Sequence, residues 1–128
     1  MIIVDTSVWV SLLVEEDSNH RKANDTFLSL KYDDVILTEY IYTESLNVLR
    51  AKFSQENCNS FIQLINTTQL SISFADHVIT RLATEYFFQF KKLSFTDCLI
   101  LASAKINDYE IATFDEDLKN ASKLALAK

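Results

Sequence analysis

Four acidic residues of this chain fall where a fold could gather them: Asp5, Glu44, Asp97 and Asp115. Two follow short apolar runs, Met1-Ile2-Ile3-Val4-Asp5 and Glu110-Ile111-Ala112-Thr113-Phe114-Asp115. Asp97 opens an apolar helical stretch, Ser94-Phe95-Thr96-Asp97-Cys98-Leu99-Ile100-Leu101-Ala102, and Glu44 lies within another, Thr43-Glu44-Ser45-Leu46. Strand ends and helix starts make up the ligand-binding edge of an open α/β sheet. Carboxylates gathered there form a hard, oxygen-rich site suited to Mg²⁺ or Mn²⁺. Sites of that kind act on phosphate esters. Each acid also has a plain structural reading. Asp5, Asp97 and Asp115 can cap helices, with Asp117 a competitor beside Asp115, and Glu44 can be a solvated helix residue. With 18 acidic residues in the chain, coincidence is easy, so the case rests on placement.

Placement requires elements. Residues 2–5 read as a buried strand, and a helix follows from Thr6, with Val8 and Leu12 on one face and Thr6 or Asp5 as N-cap. Residues 15–19 are a polar break. Ala23, Phe27 and Leu30 have helical spacing. Val35-Ile36-Leu37 is a second strand, and Thr38 starts a helix carrying Ile41, Leu46, Val48 and Leu49. Ser54 caps the next helix, with Cys58, Phe61, Ile62 and Ile65 inside. Leu70 and Ile72 alternate with polar residues as a third strand. Asp76 starts a long helix with Ile79, Leu82, Ala83, Tyr86, Phe87 and Phe90 on its apolar face. Ser94 and Asp97 fit the Ser-x-x-acid capping pattern of the helix after it. Ile111 and Ala112 lie in a fourth strand, and residues 118–128 read as a helix with a frayed fifth strand at its end. Strands alternating with helices predict a three-layer α/β/α fold around a mainly parallel sheet of four to five strands. Right-handed crossovers then place the strand C-termini on one edge.

Composition bounds the rest. The 128 residues suit one domain, 1–128, and at 48% hydrophobic and 23% charged the chain reads as ordinary globular protein. No apolar run reaches the roughly 20 residues of a membrane span. The start of the chain does not read as a signal peptide, and Cys58 and Cys98 read as small buried hydrophobes, so the expected compartment is the cytoplasm. A net charge of −6 argues against a protein that coats nucleic acid by charge alone, but not against one that meets phosphates through a cation. Glycine and proline are absent. That rules out Walker and dinucleotide glycine loops and leaves turns and helix C-caps to Asn, Asp and Lys. His20 and His77 read as surface residues, and Trp9 as core or interface.

Taken together in this order, the segments resemble the PIN-domain ribonuclease family, and within it the VapC-type toxins of toxin–antitoxin pairs. Ile2-Ile3-Val4-Asp5-Thr6-Ser7 resembles the family's opening strand, acid and small hydroxyl residue. The second acid matches Thr38-Glu39-Tyr40-Ile41-Tyr42-Thr43-Glu44, where the family pattern favours Glu44 over Glu39. The third lies in Leu93 to Ala102, and the fourth in Ile111-Ala112-Thr113-Phe114-Asp115-Glu116-Asp117-Leu118, where Asp115 is favoured over Asp117. Where the family often has a glycine before the fourth strand, Ile106-Asn107-Asp108-Tyr109 stands, and Asn tolerates the backbone such a turn needs. The resemblance implies a Mg²⁺- or Mn²⁺-dependent endoribonuclease. Asp5, Asp97 and Asp115 would hold the metal with Glu44 completing the site, and Ser7, Thr113 and Asp117 would support the carboxylates. Arg50, Lys52, Lys91 and Lys92 are weaker candidates for RNA phosphate contacts. An RNA substrate, a cognate antitoxin and a homodimer are implied as partners. A PIN nuclease of RNA processing or one acting on DNA, and a PIN-like module that binds without cleaving, are the alternatives.

Overall fold

The computed structural model describes residues 1–127. Its strands are short: β1 (Ile2–Val4), β2 (Val35–Thr38), β3 (Ile72–Ser73) and β4 (Glu110–Ala112). They form one sheet in the order β3-β2-β1-β4, and every neighbouring pair is parallel. Ile3 sits opposite both Ile36 and Ile111, so β1 is the central rail. Its ladder with β4 continues one residue past the strand, where Asp5 N–H donates to the Ala112 carbonyl at 2.9 Å. Two strands were expected to run longer. Residue 5 already belongs to the turn, and Leu70 stands outside β3.

Seven α-helices connect and cover the sheet among the described residues: α1 (Thr6–Leu13), α2 (His20–Leu28), α3 (Glu39–Lys52), α4 (Gln55–Thr68), α5 (His77–Gln89), α6 (Phe95–Asn107) and α7 (Glu116–Ala125). Helix α1 packs on α2 and α3, and α3 on α4; α5 packs on α6, and α6 on α7. The core runs through Ile3, Val4, Leu37, Ile41, Leu49, Phe61, Ile100, Leu101 and Leu118, all fully buried. Trp9 is in that core, with its ring 4.7 Å from Phe27 and 5.3 Å from Phe61, centroid to centroid. Cys58 and Cys98 are buried free thiols, and burial pushes the Cys98 thiol up to about 11.

Helix starts follow the side chains that satisfy their free N–H groups. Thr38, Ser54, Asp76 and Asp115 each accept from a first-turn backbone N–H. Ser94 and Asp97 form a reciprocal capping box. Without glycine, the left-handed turns fall to Gln69 and Asp108, both at φ 57°. The tolerant Asn107 expected at the second turn stays in α6, and Asp108 takes the strained position. A fifth strand does not form among the described residues. Helix α7 ends at Ala125, residues 126–127 are irregular, and the last residue of the expected strand, Lys128, lies outside the described residues.

Because the sheet is parallel, its C-terminal ends share one edge. The chain leaves β1 for β2 and β3 on one side and returns to β4 on the other. The gap between β1 and β4 is therefore the topological switch point, where open α/β sheets bind ligands. No helix among the described residues is long and apolar enough to cross a membrane.

Candidate active site

A cleft of about 550 Å³ opens at that switch point, and Asp5, Glu44, Asp97 and Asp115 all line it. Asp5 arrives from the end of β1 and Asp115 from the link between β4 and α7. Asp97 comes from the first turn of α6 and Glu44 from the second turn of α3. Among the described residues no basic side chain lines the cleft.

Asp5 is almost fully buried, at 4% exposure. It stands at the N-cap position of α1, but its side chain makes no capping bond. Two hydroxyls claim it instead. Ser7 Oγ donates to Asp5 Oδ2 at 2.9 Å, and Thr113 Oγ1 donates to the same oxygen at 2.7 Å. Those hydroxyls are fixed in turn, since Phe114 N–H donates to Ser7 Oγ at 3.1 Å and Asp115 N–H to Thr113 Oγ1 at 3.0 Å. The network ties the β1 turn to the β4 turn and orients Asp5 between them. A buried carboxylate requires such donors, because leaving it unpaired costs several kcal/mol.

Asp97 and Asp115 do cap their helices, but each with one oxygen. Asp97 Oδ2 accepts from Ser94 N–H at 3.1 Å, and Asp115 Oδ1 accepts from Leu118 N–H at 3.1 Å. The other oxygen of Asp5, of Asp97 and of Asp115 has no hydrogen-bond partner among the described residues. Each aspartate is thus anchored through one oxygen and keeps the second uncommitted. The Asp97 carboxyl is raised to about 6. Burial is the largest cause, the negative charges of Asp5 and Asp115 add to it, and the hydrogen bonds from Ser94 oppose it.

This is a donor set for a hard divalent cation. Thr6 Oγ1, on a residue that also lines the cleft, is buried with no partner among the described residues. The carboxylates border the cleft rather than converging on a point. Among the described residues, no three His, Cys, Asp or Glu side chains form a ready-made cage. A bordered cleft suits Mg²⁺, which retains several of its waters and takes only one or two carboxylates directly.

Glu39 is exposed and lines a neighbouring groove, not this cleft, whereas Glu44 lines both. Asp117 is exposed in the first turn of α7, does not line the cleft, and makes no hydrogen bond to the other acids. None of Arg50, Lys52, Lys91 and Lys92 lines it either. Arg50 Nε donates to Gln55 Oε1 at 3.1 Å, Lys91 lies 6.0 Å from the Phe88 ring centroid, and Lys92 is exposed. Lys52 borders the neighbouring groove. His77 is exposed, but His20 is half-buried with Nδ1 2.8 Å from the Ser11 carbonyl, so its expected place on the open surface is corrected. The sequence reading missed Asp17, which also lines the cleft. Asp17 Oδ2 accepts from Ser11 Oγ at 2.8 Å and from Asn19 N–H at 2.9 Å, closing the turn after α1. Its only signal in the sequence was an acid in the polar break following the first helix.

The PIN domain family model matches residues 2–124. The crystal structure of Mycobacterium tuberculosis VapC20, a sarcin–ricin loop cleaving toxin, superposes with a TM-score of 0.84 at 20% identity, covering 94% of this chain and 95% of that one. FitAcB from Neisseria gonorrhoeae superposes at 0.73 and 20% identity, covering 96% and 94%. A toxin–antitoxin complex from Klebsiella pneumoniae superposes at 0.70 and 17% identity, covering 91% and 89%. At these identities the likeness is one of fold. Comparison with curated proteins gives no match.

Proposed function

The chain belongs to the PIN domain family, and on that premise we propose that it is a Mg²⁺- or Mn²⁺-dependent endoribonuclease, the toxin of a type II toxin–antitoxin pair. The observation that carries this reading is the cleft itself, where the four acids and Asp17, five carboxylates from five separate segments, border one space and no basic residue among the described ones offsets them. The similar structures support the toxin assignment: one is of a toxin that cleaves the sarcin–ricin loop, and another is a toxin–antitoxin complex.

Asp5, Asp97 and Asp115 would hold the cation, each having one oxygen free of hydrogen bonds among the described residues, with Glu44 completing the site. Mg²⁺ or Mn²⁺ bound there supplies charge stabilisation at the scissile phosphate and activation of the attacking water. Ser7 and Thr113 hold Asp5 by one oxygen, so its carboxylate would need little reorganisation to take a cation. The Ser94 backbone N–H holds Asp97 by its Oδ2. Glu44, which makes no hydrogen bond among the described residues, is free to orient the nucleophile. No histidine or cysteine takes part. The protein acts in the cytoplasm as one domain spanning 1–128, and a cognate antitoxin silences it by covering the cleft. The exposed rings of Phe87, Phe88 and Phe95, packed edge to face on α5 and α6, support self-association as a homodimer.

Mapping of RNA 5′ ends in cells expressing the wild type or Asp5→Asn tests the reading. The expected result is growth arrest and a discrete set of new ends with the wild type alone. The same ends with both proteins would overturn it.

A further inference from the structure

We infer that the groove beside the acid cleft is a subsite for one unpaired nucleobase of the RNA strand, next to the phosphate that is cut, with Phe74 as its stacking platform. The inference rests on the ribonuclease reading and deepens it. The groove has a volume of about 670 Å³ and runs on from the cleft, the two sharing Glu44 and Val48 as walls. Its floor and sides come from α3, from Thr96 at the start of α6 and from Phe74 and Ala75. Phe74 follows β3 directly, so it stands at the same C-terminal sheet edge as Asp5. It is 68% exposed. Its packing into the core does not account for it, and a ring face open beside a phosphodiesterase site suits a base, since every base has a stacking face.

The charges favour a base over a phosphate in this groove. Glu39 and Glu44 line it and repel phosphate, whereas an uncharged base is tolerated between them. Lys52 is the one basic residue lining either cavity among the described residues. It can meet the phosphate on the far side of that base. Asn47 offers an amide donor and acceptor for a base edge. The α3 side of the groove is tied to α6, because the Tyr40 hydroxyl is 2.7 Å from Ser103 Oγ and 3.2 Å from the Leu99 carbonyl, which it reaches as donor. A stacked duplex cannot present a base to such a groove, so the substrate segment is single-stranded, a loop or a bulge.

The test uses the purified full chain, Mg²⁺ and a single-stranded RNA library of randomised sequence, with the cut ends sequenced. The wild type is expected to prefer certain bases at one fixed position beside the cut. Phe74→Ala should flatten the preference at that position alone and slow cleavage by about ten-fold, the scale of losing one base–aromatic stack. Phe74→Trp should keep the preference. Identical profiles and rates for the wild type and Phe74→Ala would overturn the subsite while leaving the ribonuclease reading standing. An unchanged cleavage profile together with loss of self-association in Phe74→Ala would assign the groove to a protein interface and overturn it equally. No cleavage by the wild type would remove the ribonuclease reading, and the subsite with it.

Discussion

Asp5 differs from Asp97 and Asp115 in having no capping duty. Both of its hydrogen bonds come from hydroxyls, and both reach one oxygen. Thr113→Val removes one of those donors and strips Asp115 N–H of its acceptor. Urea unfolding should show a loss of about 1–3 kcal/mol, the cost of leaving buried polar groups unpaired. An unchanged midpoint would mean the hydroxyl network does not hold Asp5. Asp97 makes a pH-dependent contribution with a definite sign. Its folded carboxyl titrates at about 6 and its unfolded one near 3.8. The folded state thus binds the proton more tightly, so this contribution is full below about 3.8 and is lost as pH rises through 6. In metal-free buffer, wild-type stability relative to Asp97→Asn should decline between those two values, and a flat difference would contradict the assigned burial and repulsion. Three of the four acids were legible in the sequence because each ends a strand or opens a helix. Choosing Glu44 over Glu39 needed the family pattern, because both lie on α3 and only the fold shows which one borders the cleft. Asp17 stayed hidden because a turn places it there, and that turn has no apolar period to read.

Helix starts carry much of the site. The capping box that begins α6 is also the mounting of Asp97. Ser94→Ala should therefore cost about 1 kcal/mol of stability and reduce cleavage more than an exposed serine elsewhere would. Equal activity would separate the cap from the site. The chain also carries strain at Gln69, a non-glycine residue with φ 57° at the end of α4. Gln69→Gly relieves that strain while loosening the unfolded chain, so it should stabilise by about 1 kcal/mol or less in thermal unfolding. The helices were legible from their 3.6-residue periods and their Ser, Thr and Asp caps. The strands were legible in place but not in extent, since strands of two to four residues hold too few alternations to fix an end. The sequence leaves open whether a fifth strand follows, and among the described residues none forms, because the tail's apolar residues serve α7, which buries Leu118 and Ala121. Phe87 was expected on the buried face of α5. It is 45% exposed and packs on Phe88 and Phe95 at the surface, a position that period alone cannot separate from the core.

At the scale of the whole molecule, the parallel order β3-β2-β1-β4 is what makes a site from distant segments, because it sets the ends of β1 and β4 side by side. That edge concentrates five of the chain's 18 acidic side chains around one cleft. Mg²⁺ should raise the unfolding temperature of the wild type, with a stabilisation of about 2.7 kcal/mol at a hundred-fold excess over its dissociation constant. Asp5→Asn combined with Asp97→Asn should show little of this effect. Self-association should fail on Phe88→Glu, read by sedimentation, if the exposed rings pair two copies. The central claim is that the four carboxylates form one metal-dependent site for RNA cleavage. Cleavage of RNA by purified protein in Mg²⁺ measures it most directly, with the wild type, Asp5→Asn and Asp97→Asn compared at matched folded concentration. The wild type should cleave, lose activity in excess EDTA and regain it with added Mg²⁺, and neither variant should cleave detectably. Equal cleavage by all three proteins, or full activity in EDTA, would contradict that claim.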